Sequence, residues 1–77
     1  RWQAIDGELR RLIREGAYGS WFGRIGFHGL TNGVLNLSTP NSTSADRIRR
    51  DYVPAILMAA EAAGVFVDRV LMTVRKR

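Results

Sequence analysis

The side chains able to act on a substrate are few in this sequence, and they are scattered. His28 is the one imidazole, there is no cysteine, and the seven carboxylates fall into no metal-loop spacing. A zinc site needs several His or Cys ligands, and a calcium loop needs a dense series of oxygen ligands. Neither is written here. Nothing pairs His28 with a nucleophile and an orienting carboxylate, so acyl transfer of the Ser-His-Asp kind has no support. The expectation is a protein that is not an enzyme and that uses no cofactor or metal. Two overlapping Gly-x-x-Gly stretches, 23–26 and 26–29, have the spacing with which some single-strand-binding loops clamp a nucleotide backbone. Such a loop joins two helices, whereas these glycines stand where a helix gives way to a strand. They read as turn and strand glycines.

What remains is charge. The net charge is +5, and eleven of the twelve cations are arginine. The planar guanidinium fork suits phosphate and carboxylate better than a lysine does, so a nucleic acid or an acidic protein is a natural partner. An arginine-rich coding bias would give the same balance. Arg47, Arg49 and Arg50 cluster at the start of the longest helical segment, where the helix dipole mildly disfavours cations. They are the candidate nucleic-acid-binding residues, for weak and salt-sensitive contact with a single strand. Asp46 and Asp51 stand ready as local counterions, and the alternative reading of the cluster is a solvated helix face.

The elements that would position these groups follow from the period of the apolar residues. Trp2, Ile5, Leu9, Leu12 and Ile13 mark an amphipathic helix over 2–14, with Gly16 as its stop. Tyr18, Trp21 and Phe22 mark a second, short helix over 17–22, closed by Gly23. Alternation then takes over in 25–31, with Ile25, Phe27 and Gly29 opposed to Gly26, His28 and Leu30. Asn32-Gly33 supplies the positive-φ pair of a type I′ hairpin turn. Val34 to Thr39 forms the partner strand, ended by Pro40, which cannot donate to a ladder. Thr43 and Asp46 have capping-box spacing for a helix running to about residue 63. Pro54 lies inside that helix and predicts a kink or break, and Gly64 predicts its end. A last strand is expected over 66–74, and Arg75-Lys76-Arg77 as a solvated tail. The class is α+β: a two-layer domain with a three-stranded sheet, helices on one face, and the order α-α-β-β-α-β. Residues 1–77 make a single domain, and a start at Arg1 suggests one taken from a longer protein. No apolar run is long enough for a membrane span, so no membrane partner and a cytoplasmic setting are expected.

Five short pieces in this order resemble a family: Trp2-Gln3, Tyr18-Gly-Ser-Trp21, Asn32-Gly33, Pro40-Asn41 and Arg50-Asp51-Tyr52. Together they cover about residues 2 to 74 and are similar to the N-terminal domain of DnaA-type chromosomal replication initiators. The resemblance implies a fold similar to the type II KH domain, used as a protein-interaction hub. It implies self-association, contact with the replicative helicase or with replication regulators, and weak contact with single-stranded DNA. The family's self-association residue is the Trp of Trp-Gln, here Trp2. With Ile5 on the same stripe and Ala17 and Tyr18 opening the second helix, Trp2 makes the expected protein-interaction surface. Two positions depart from the family pattern. Ala17 stands where an acidic residue is common, and Thr43 where well-studied members expose an aromatic, so the helicase-contact residues do not carry over. The competing reading is a basic KH-like module that binds single-stranded nucleic acid in a plasmid, phage or regulatory replication protein.

Overall fold

The computed structural model describes residues 2–75. Its elements follow in the order α1 (Trp2–Leu12), α2 (Glu15–Phe22), β1 (Gly26–Thr31), β2 (Val34–Thr39), α3 (Ser42–Arg47), a π-helical turn (Ile48–Tyr52), α4 (Val53–Ala62) and β3 (Arg69–Val74). The sheet has the order β1-β2-β3, antiparallel between β1 and β2 and parallel between β2 and β3. Parallel strands require a long crossover, which α3, the π turn and α4 supply. The α+β order expected from the apolar periods is the one found.

The helices cover one face of the sheet. Ile5, Leu9 and Ile13 of the first helical segment, Phe22 of α2, and Ile48, Ile56 and Ala59 further on close over Leu35, Leu37 and Met72. This is why alternation in β2 is strict: Leu35 and Leu37 point into the core, while Asn36 points away. Phe22 stands at the centre of an aromatic group, stacked on Tyr18 at 5.7 Å and edge-on to Tyr52 at 5.4 Å.

Asn32 (φ 52°) and Gly33 (φ 78°) make the expected hairpin turn. A Cβ on Gly33 would also fall 2.6 Å from the Phe66 ring, so the position needs glycine for two reasons. The regular alternation expected in β1 does not hold. The register slips between Phe27 and Gly29, so that Phe27 opposes Leu37 and Leu30 opposes Leu35. This bulge puts Phe27 and Leu30 on the same, helix-covered face although they are three residues apart. His28 is turned to the other face.

Three boundaries differ from the periodic reading, and a fourth, at Pro54, holds the break expected there. Arg14 is extended (φ −58°, ψ 145°) and breaks the chain between α1 and α2, so Gly16 lies inside α2 and stops nothing. The cap of α3 is Asn41, whose Oδ1 accepts the Ser44 N–H at 2.8 Å. Thr43 is instead exposed within the first turn, because the chain becomes helical as soon as it clears Pro40. Pro54 sits in the first turn of α4, where its missing N–H costs nothing, and the wide π turn before it makes the expected break. The last strand starts at Arg69, three residues later than expected. The Asp68 and Arg69 N–H groups both donate to the Gly33 carbonyl, so residues 65–68 wrap around the hairpin tip. Phe66 is left 74% exposed beside it.

Candidate interaction surfaces

One stripe of α1 carries Trp2, Asp6 and Arg10, each four residues apart and so about 6 Å apart along the axis. The ring of Trp2, half-buried, stacks on Phe27 with centroids 6.0 Å apart and planes 6° from parallel. Phe27 stays 41% exposed, so the pair forms an apolar rim where α1 meets the edge strand β1. One turn on, the Tyr18 hydroxyl donates to Asp6 Oδ1. Arg10 pairs with the other carboxylate oxygen of Asp6 at 3.4 Å and lies over the Tyr18 ring at 4.8 Å. Burial, helped by the hydrogen bond to Asp6, raises the Tyr18 pKa above its ordinary value. The Tyr18 oxygen and then Asp6 hold Arg10 above its own.

Of the four expected protein-contact residues, this brings Trp2 and Tyr18 together along one stripe, with Ala17 half-buried beside Tyr18. Ile5 is different. It has no exposed surface and belongs to the core, because the stripe through Ile5, Leu9 and Ile13 faces α4 and the sheet rather than solvent. Phe27 replaces it on the rim. The sequence carried a sign of this, since Phe27 and Leu30 can face one way only across a bulge, and Gly29 (φ 147°) permits one there.

The arginine cluster is engaged with its own helix. Arg47 Nε lies 2.7 Å from Asp51 Oδ2, off the N–H direction, so the contact is an ion pair without a hydrogen bond. Its guanidinium also covers the Trp21 ring at 5.3 Å. Arg49 donates to Asp46 Oδ1 at 2.8 Å and to the Met72 carbonyl of β3 at 2.9 Å. It therefore ties the helix to an edge strand. Arg50 pairs with Asp51 at 3.4 Å and is the most exposed of the three. The local counterions foreseen at Asp46 and Asp51 take up all three.

Arg75 is no solvated tail. Its Nη1 donates to Ser38 Oγ at 3.0 Å and its Nη2 to the Arg24 carbonyl at 2.8 Å. His28 Nε2 reaches the same Ser38 hydroxyl at 2.6 Å. Arg75 and His28 thus cover Ser38, which is only 1% exposed although it lies on the face away from the helices. Lys76 and Arg77 lie outside the described residues. Among the described residues no group of three His, Cys, Asp or Glu side chains could hold a metal ion, and no helix is long and apolar enough to cross a membrane.

The family model for the DnaA N-terminal domain matches residues 1–62. Among curated proteins, the chromosomal replication initiator protein DnaA of Thermus thermophilus is 38% identical over 68 residues, 88% of this chain. The protein of the same name from Rhodopseudomonas palustris is 32% identical over 75 residues, 97% of this chain, and that of Bradyrhizobium is 31% identical over the same share. The chain spans 16% of the length of each of these relatives.

Proposed function

Because this chain belongs to the family of DnaA N-terminal domains, we propose that it is the interaction module of a DNA replication initiator. It acts in the cytoplasm, self-associates, and recruits the replicative helicase or replication regulators. It does so by binding, with no catalytic step of its own. The observation that carries this reading is the stacked Trp2–Phe27 pair, an aromatic rim left half open next to the Tyr18–Asp6–Arg10 network. An exposed aromatic pair held rigid by stacking gives contact area at little entropic cost, and such residues dominate protein interfaces. The network fixes α2 against α1, so Trp2, Tyr18 and Ala17 present one surface to a partner.

The test is light scattering on the parent chain and on Trp2→Ala over a range of concentrations, with circular dichroism to follow the fold. The parent should gain mass with concentration, and the variant should remain monomeric with an unchanged spectrum. Equal association of the two proteins would reject this interface. Helicase recruitment needs a separate pull-down with the helicase of the same organism. Loss of capture in Trp2→Ala or Tyr18→Ala is the expected result.

A further inference from the structure

We infer that the Arg75 side chain is a strap that pins the bulge of β1 and so holds Phe27 in place against Trp2. The bulge is the weak point of the sheet. β1 is an edge strand, with ladder bonds to β2 alone, and His28 is left without a partner where the register slips between Phe27 and Gly29. An unpaired residue in an edge strand opens more readily than its neighbours. Packing does not make up the loss, because Phe27 stays 41% exposed. The hold comes from a polar cluster on the face away from the helices.

The Arg75 backbone N–H donates to the Thr39 carbonyl at 2.8 Å, which seats the residue beside the end of β2. Its guanidinium then crosses β2. Nη1 reaches Ser38 Oγ at 3.0 Å, and Nη2 reaches the Arg24 carbonyl, 51 residues away in the chain, at 2.8 Å. Arg75 can only donate, so the Ser38 hydroxyl is free to give its own hydrogen to His28 Nε2, 2.6 Å away. Each bond in such a chain polarises and strengthens the next. One guanidinium therefore ties together the end of β3, β2, the bulge residue and the segment that leads from α2 into β1. Gly26 makes the room. A Cβ there would fall 2.7 Å from Arg75 Nη1 and 2.9 Å from Ser38 Oγ, and its φ is not positive, so glycine serves the close approach and not a turn. Phe27 lies between Gly26 and His28, and a firm bulge fixes the direction of its ring. Arg75, Ser38 and His28 are thus positioning residues for the rim, and their effect on association rests on the reading of that rim given above.

The experiment is amide exchange by NMR on the 77-residue chain, with the Trp2 indole N–H signal as a second readout. In Arg75→Gln, which loses the forked donor at an exposed residue, the protected amides of β1 should exchange about tenfold faster. The Trp2 indole signal should shift. Asn41→Ala, which loses comparable stability at the helix cap, should leave both readouts as in the parent. Gly26→Ala fills the cradle from the other side and should reproduce Arg75→Gln. The two substitutions together should fall short of the product of their single effects, because each removes the same strap. Unchanged β1 exchange in Arg75→Gln overturns the proposal. So does equal quickening in Asn41→Ala, which would mean a loss of global stability only, and so does a full product in the double variant. These readouts need no partner. Light scattering on Arg75→Gln then separates the strap from the rim: weaker self-association is expected, and association like the parent's beside altered NMR signals rejects the rim as the interface while the strap stands.

Discussion

The two faces of β2 belong to one six-residue strand, yet they have separate physical tasks. Leu35 and Leu37 on the helical side are sealed in the core, whereas Asn36 on the other side meets no helix. The inner face contributes stability through apolar burial, which is indifferent to charge. The outer face is polar, and there Arg75 and His28 hydrogen-bond Ser38. A two-layer domain leaves one sheet face free of the packing demands that fix the other.

The sharpest way to break this contrast is to truncate neighbouring residues. Leu37→Ala should cost about 2–5 kcal/mol, lowering the melting temperature by roughly 8 °C or more. Asn36→Ala should stay within about 0.5 kcal/mol of the parent. Comparable losses at both positions would show that the outer face is structural. Next in size is Gly33→Ala, which forces a Cβ into the left-handed region and against Phe66. Thermal melts should show a loss of about 1–2 kcal/mol. Because the turn sets the register that divides the two faces, amide exchange in β1 should quicken as well.

Smaller effects test the helix start. Asn41→Ala should cost about 1 kcal/mol in denaturant titration, while Thr43→Ala should change little. The reverse outcome would return the cap to Thr43. The mildest change is Tyr18→Phe, with about 0.5–1 kcal/mol lost near neutrality. The pKa of Tyr18 is raised in the folded protein, so its neutral form is favoured by folding. The stability this brings is complete below the ordinary tyrosine value and is lost as pH climbs through the raised one. Melts from about pH 8 to about pH 11 should therefore fall less steeply in Tyr18→Phe than in the parent. Identical slopes would mean that the phenol is not linked to folding.

Much of this was legible in the chain. Asn32-Gly33, Pro40 and Gly64 act locally, through backbone torsions and a missing donor, and each fell where its chemistry puts it. Leu35 and Leu37 were readable because a half-buried strand shows its period directly. Of the residues in the proposed interaction surface, Trp2 and Tyr18 keep exposed area while Ile5 is sealed in the core, because one helical stripe does not say which of its residues the next layer covers. The arginine cluster was visible, and so were the aspartates that engage it.

The sequence alone determined the kinds of element, their order and the turns between them, since those depend on neighbours a few residues away. Tertiary structure alone decided how β1 is turned at its bulge, where β3 begins and what covers the corner of the sheet. The bulge at His28 keeps Phe27 and Leu30 on one side, the Gly33 carbonyl delays β3 to Arg69, and Arg75 returns across the sheet to Ser38. The first is set by the pairing of β1 with β2, and the other two are contacts between residues more than thirty positions apart along the chain. Their free energy exists only once the core has brought the strands together.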